Sequence, residues 1–257
     1  MRSNKLLSVN SLKKRFGGLQ AVDVESIDFS KNQITSLIGP NGAGKTTFFD
    51  LLTKFQNPDE GRVIFEGSNV TSFPSYKLAR LGITRTFQLT RVFEKMTVLE
   101  NMQFSGSSPK NESIIRGLLQ GKNLYNSEQV LENEIDKILD LLNLKHMKLS
   151  YARELSGGQK KLLELGRALI NKPKLLLLDE PLAGVNPKLA EEILEIIKKL
   201  NDDGINIIMV EHNINAVMKI SERVVVMAEG KIISDGNPDF VRSDKKVIEA
   251  YLGKVDD

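Results

Sequence analysis

At 257 residues and 40% hydrophobic content, the chain has the length for one large domain or for a domain with a sizeable insertion. Lys and Arg number 36 against 33 Asp and Glu, and the resulting +3 calls for neither a nucleic-acid nor an anionic-membrane partner. The absence of cysteine excludes disulfides, thiolate metal sites and cysteine nucleophiles, and fits a reducing compartment. The first seven residues lack the apolar core of a signal peptide. No run approaches the ~18 to 20 apolar residues of a membrane-spanning helix. The expectation is a soluble protein, or one attached to a membrane through another protein.

From Lys5 to about Arg85 the pattern predicts strands at 6–9, 22–29, 34–38 and 62–65, short apolar or alternating runs broken by Gly, Asn and Pro. One helix interrupts them at 46–53, starting in a glycine-rich loop. From about Phe87 to Ala152 the character turns helical. A helix begins at Val98, a polar stretch follows around 105–111, and 130–144 is periodic, with Ile135, Ile138, Leu139 and Leu142 at helical spacing. Beyond it, 160–170 reads as another helix. Strands of buried parallel type at 175–178, 205–210 and 224–227 then alternate with helices at 188–200 and 214–220, a βαβ pattern that predicts a parallel sheet covered on both faces. The middle block therefore reads as a helical insertion in an α/β core.

Three motifs carry chemistry. Gly39-Pro40-Asn41-Gly42-Ala43-Gly44-Lys45-Thr46, with Thr47 following, lies between a predicted strand and a predicted helix. Its glycines let successive N–H groups converge on phosphate oxygens at a positive helix end. Lys45 is suited to reach the β- and γ-phosphates, and the Thr46 hydroxyl to take a Mg²⁺ position. Next, four leucines end in Asp179-Glu180, at the carboxyl edge of a buried strand where ligands bind in open α/β sheets. There Asp179 is suited to hold Mg²⁺, and Glu180 to orient and polarise an attacking water, since phosphoryl transfer depends chiefly on alignment and charge. Alone, the pair could cap a helix. Last, Leu155-Ser156-Gly157-Gly158-Gln159 leads into a helix. Ser156 reads as its N-cap, but a cap leaves the paired glycines and Gln159 unaccounted for; together they suggest a second anion site serving a neighbouring subunit's γ-phosphate.

In this order, the set resembles the ATP-binding subunit of ABC transporters over essentially the whole chain. The resemblance implies an α/β ABC ATPase fold: a P-loop NTPase core with a parallel sheet, an N-terminal antiparallel β subdomain and an inserted helical subdomain. It implies one ABC ATP-binding domain, with its nucleotide-binding core at 1–86 and 159–257 and its helical insertion at 87–158. It also implies ATP and Mg²⁺ as cofactors, and a head-to-tail dimer in which Ser156, Gly157, Gly158 and Gln159 complete the partner's site. Phe16 falls where that family stacks an aromatic ring on adenine, though a core phenylalanine at a strand end is an equal reading. Gln88 matches the glutamine that contacts Mg²⁺ or the attacking water, and His212 the histidine that contacts the γ-phosphate. Asn186 stands where many relatives have Asp, and its role stays open.

A finer resemblance, to branched-chain amino acid importer ATPases, rests on Arg85-Thr86-Phe87-Gln88, Met96-Thr97-Val98-Leu99-Glu100-Asn101, Ala183-Gly184-Val185-Asn186-Pro187, Val210-Glu211-His212-Asn213 and Ala250-Tyr251-Leu252-Gly253. ATPases of lipopolysaccharide export and of urea or amide uptake share several of these strings. The implied partners are a second ATP-binding subunit, identical or different, transmembrane permease subunits at the cytoplasmic face of the cell membrane and, indirectly, a substrate-binding protein. A soluble ABC ATPase acting on nucleic acid is the alternative class, disfavoured by the single core, the near-neutral charge and the lack of sustained heptads. A regulator without turnover is disfavoured by Glu180 and His212.

Overall fold

The computed structural model describes residues 5–86, 92–106 and 121–252, and element numbers below run along these residues. They gather into two units, one of Met1–Arg85, Lys174–Leu182 and Ile197–Asp257, the other of Thr86–Pro173 and Ala183–Ile196.

The first unit holds two sheets. β1 (Lys5–Phe16) and β2 (Leu19–Ser30) form a long antiparallel hairpin, and β1 also pairs with β4 (Glu60–Phe65), which pairs with β5 (Ser68–Asn69). Alternation buries Val22 with Val24 and Ile27 with Phe29, the phase changing across the exposed Glu25 and Ser26. A register shift between Lys5 and Leu7 lets the consecutive Leu6 and Leu7 both be buried. The expected N-terminal antiparallel sheet is present.

The second sheet has the order β10-β9-β3-β8-β7-β6, with β3 (Ile34–Ile38), β6 (Ile83–Arg85), β7 (Leu175–Asp179), β8 (Asn206–Val210), β9 (Arg223–Ala228) and β10 (Lys231–Gly236). All neighbouring pairs are parallel except β9 with β10. Every residue of β3, β7 and β8 is buried, the polar Thr35, Ser36, Asp179 and Asn206 included, as in a sheet covered on both faces. The helices of this unit include α1 (Lys45–Leu52), α2 (Ser75–Leu81), α7 (Ile214–Ile220), α8 (Pro238–Ser243) and α9 (Lys245–Leu252).

The second unit is built on α3 (Val98–Gly106), α4 (Gly121–Leu141), α5 (Gly157–Leu169) and the first part of α6 (Pro187–Asp202). Ile135, Leu139 and Leu142 are fully buried, so the helical period read from the sequence marks a core-facing stripe. The N-terminus of α3 is closed reciprocally: Glu100 N donates to Thr97 Oγ1 at 3.1 Å and Thr97 N to Glu100 Oε2 at 2.7 Å. Asn101, fully buried, accepts from Phe93 N at 2.9 Å and donates to the Phe93 carbonyl at 3.0 Å. The Thr97-to-Asn101 string is thus a helix start plus a loop brace. A boundary at 158 and 159 falls in the first turn of α5, which lies whole in the second unit. Among the described residues, no helix is long and apolar enough to cross a membrane.

Candidate functional site

In the first unit, adjacent parallel strands end side by side. The glycine loop follows β3, Glu211-His212 follows β8, Asp179 ends β7, and Arg85 ends β6. Topology alone therefore brings these segments to one carboxyl edge.

Two of the loop's glycines are fixed by packing. A Cβ on Gly39 would lie 2.0 Å from the Met227 carbonyl oxygen, and one on Gly44, at φ 96°, 2.2 Å from that of Ala21. Gly42 adopts φ 78° with open space around it. Gly44 opens α1, and no side chain caps the helix, so its first amides keep the geometry of an anion site. Pro40, Asn41, Gly42, Thr46 and Thr47 are exposed or half-buried, whereas Ala43 and Lys45 are buried. Lys45 Nζ donates to the carbonyls of Gly39 at 2.7 Å and Pro40 at 2.9 Å. Burial holds its ammonium below the usual lysine range, and the charges of Glu180 and Asp179 oppose that shift. A buried cation in a loop of this shape fits phosphate.

Asp179 is almost wholly buried, and Arg85 Nη2 donates to its Oδ2 at 2.7 Å. Glu180 sits in the left-handed region at φ 50°, a conformation costing a non-glycine residue about 1–2 kcal/mol. Its N–H donates to the Val210 carbonyl at 3.0 Å, which holds the turn. Its Oε1 lies 2.9 Å from His212 Nε2, and the His212 side chain is 44% exposed. The left-handed backbone thus falls at the carboxylate that faces His212. Glu211, not singled out by its sequence, is the brace of this edge. Its buried carboxylate accepts from Leu182 N at 2.8 Å and from His212 N at 3.1 Å, tying the segment after Glu180 to the one carrying His212.

Phe16 is 47% exposed at the tip of the first hairpin, with Lys14 Nζ 5.6 Å from its ring centroid. Its core reading is therefore corrected: about half of the residue is open to solvent. Gln88 lies outside the described residues.

In the second unit, Ser156 caps α5. Gln159 N donates to Ser156 Oγ at 3.3 Å, and Ser156 N donates to Gln159 Oε1 at 2.9 Å. The expectation that a cap leaves Gln159 unexplained is thus corrected, because Gln159 is the other half of a capping box. A Cβ on Gly158 would meet Leu189 Cδ2 at 2.0 Å, so packing accounts for that glycine too. Gly157 is exposed and a Cβ there would meet nothing within 4 Å. Among the described residues, nothing requires glycine at position 157. Asn186 caps α6, accepting from Leu189 N at 2.9 Å ahead of Pro187 at the first helical position.

A family model described as "ABC transporter" matches residues 22–183, more than half of the chain. The chain belongs to the ABC transporter family. A second model, "Branched-chain amino acid ATP-binding cassette transporter", matches residues 231–257 of this ABC protein. It is 42% identical over 252 residues to a probable branched-chain amino acid transport ATP-binding protein LivG of Archaeoglobus fulgidus, covering 98% of this chain and 97% of that one. It is 37% identical over 254 residues to the high-affinity branched-chain amino acid transport ATP-binding protein LivG of Escherichia coli, covering 98% and 100%. Among solved structures, an ATP-binding cassette of an ABC transporter in its ADP conformation superposes with a TM-score of 0.84 at 37% identity, covering 98% and 100%. The cbiO1 subunit of the Clostridium perfringens cbiONQ transporter complex gives 0.78 at 28% identity, covering 98% and 96%. The ABC ATPase fold expected from the motifs is the fold of these relatives.

Proposed function

We propose that this ABC ATPase is the ATP-hydrolysing subunit of an importer for branched-chain amino acids. It would act at the cytoplasmic face of the membrane, held there by permease subunits and fed indirectly by a substrate-binding protein. The observation that carries the hydrolytic reading is the convergence of the glycine loop, Asp179-Glu180 and His212 at one sheet edge. The cargo is carried by likeness: the relatives above bear that name, and the model of the same description matches the C-terminal segment.

Under this reading the loop from Gly39 to Thr47 cradles the phosphates, with Lys45 on the β- and γ-phosphates and Phe16 stacked on adenine. Thr46 and Asp179, with Gln88, would hold Mg²⁺. An exposed hydroxyl and one carboxylate fit an ion that takes its remaining ligands from phosphate and water, and the ion would supply charge neutralisation. Glu180 aligns the attacking water, and His212 holds the Glu180 carboxylate from one side while its exposed ring is open to the γ-phosphate. Ser156 and Gly157 serve the ATP of a second ATP-binding subunit. Gly157 supports this, since an open glycine at a helix N-terminus permits close approach by an outside phosphate. The permease would dock on the helical unit near Gln88. On that unit Phe93 and Phe104 are exposed and stack edge to face at 4.9 Å, with Arg167 over Phe93.

Purification from native membranes, followed by reconstitution, tests the cargo. The expected result is co-purification with permease subunits and ATP-dependent uptake of leucine, isoleucine and valine into proteoliposomes. Uptake of urea or short amides instead, or co-purification with a lipopolysaccharide exporter, would reject it.

A further inference from the structure

Arg85 ends β6, next to β7 in the sheet, with Arg85 paired in register to Leu177. Its side chain is only 5% exposed and lies between two carboxylates. Nη2 donates to Asp179 Oδ2 at 2.7 Å, and Nη1 is bonded to Asp50 Oδ1 on α1. Nη1 also lies 3.5 Å from Thr53 Oγ1, and the guanidinium sits 5.8 Å from the ring centroids of both Phe49 and Phe55. The fork is therefore held on several sides by α1 and the turn after it.

A counter-charge for a buried aspartate needs only a cation nearby. This arrangement does more. A planar fork that keeps its charge fixes the plane of the carboxylate it binds. Its other arm is anchored to Asp50, on the same short helix that begins with Lys45 and Thr46. One guanidinium thus links Asp179 to the helix that carries Thr46.

We propose that Arg85 is a positioning residue for the divalent cation, bridging Asp50 and Asp179 so that the Asp179 carboxylate and the Thr46 hydroxyl are presented together to the ion. This rests on the reading above that Asp179 and Thr46 hold the metal. Outer partners of metal-binding carboxylates typically change metal affinity by about 10- to 100-fold when removed.

The test is Mn²⁺ binding to the ADP-loaded full chain, followed by electron paramagnetic resonance, alongside ADP affinity in EDTA and thermal melting. Arg85→Lys, which keeps the charge but loses the fork, should raise the Mn²⁺ needed for half-saturation by about 10-fold or more, with metal-free ADP affinity unchanged. Asp50→Asn leaves the Arg85–Asp179 pair intact and loosens only the anchor on α1. It should shift Mn²⁺ binding in the same direction by less, and it keeps the test open if Arg85→Lys fails to fold. Unchanged Mn²⁺ binding in folded variants, even with a lowered melting temperature, would overturn the proposal, and so would tighter binding. Wild type and Asp179→Asn separate the two levels. If ADP-loaded wild type takes no Mn²⁺, or Asp179→Asn takes it equally well, the metal reading itself fails and the proposal falls with it.

Discussion

Glu180→Gln should lose steady-state ATP hydrolysis while retaining ATP binding. The amide keeps the shape of the side chain and can still meet His212, but it lacks the negative charge that polarises the attacking water and cannot accept its proton. Losing such a group typically costs about 100- to 10,000-fold in rate. Binding should persist because the phosphate cradle, built from the loop after β3 and from Lys45, is untouched. Phosphate release gives the first quantity and equilibrium dialysis the second. With binding intact and turnover blocked, light scattering should show an ATP-dependent dimer that ADP does not produce. Normal turnover in this variant would reject the role given to Glu180.

Lys45→Ala should weaken ATP binding or turnover by at least 100-fold, for two reasons. The first is direct: charge-assisted hydrogen bonds to phosphate are worth about 1.5–3 kcal/mol each, so losing two removes roughly 3–6 kcal/mol. The second is the loop itself. Lys45 bonds the carbonyls of Gly39 and Pro40, so the truncated chain loses the strut across the loop as well as its cation. Lys45→Met, which keeps the stem, isolates the charge and should be nearly as deficient. Nucleotide affinity measured with a fluorescent ATP analogue, beside melting temperatures, separates loss of ligand contact from collapse of the loop. Wild-type affinity together with wild-type turnover in either variant would contradict the assignment.

Much of this was legible in the chain because its signals are local. Four leucines ending in Asp179-Glu180 read as a buried strand, and four successive fully buried leucines are what the fold contains. The glycine loop was readable because Gly39 and Gly44 answer to backbone contacts that no other residue would permit. What escaped the sequence was either short or long-range. β6 has three residues, too few for a pattern, and β10 pairs antiparallel at the sheet edge, where burial is incomplete. The outer half of the first hairpin is polar, so the strands predicted at 6–9 and 22–29 run on to Phe16 and begin at Leu19. Arg85 meets Asp179 across 94 positions, and Glu211 meets Leu182 across 29; no local spacing announces either contact. The Ser156–Gln159 capping box is the opposite case, a local four-residue pattern that sequence could have given in full. With Gln159 engaged in the box, the open Gly157 is the residue left to meet an outside ligand.

Each ATP should be served by Glu180 of one chain and by the Ser156-Gly157 turn of another. Mixing two inactive variants checks this. Gly157→Asp leaves the capping box in place, adds an acid favourable to the helix N-terminus, and repels an incoming phosphate. Alone, Gly157→Asp and Glu180→Gln chains should each be inactive, whereas a mixed dimer holds one site with both elements intact. ATP hydrolysis reappearing in the mixture is the predicted result; mixed dimers that form yet remain as inactive as either parent would contradict it.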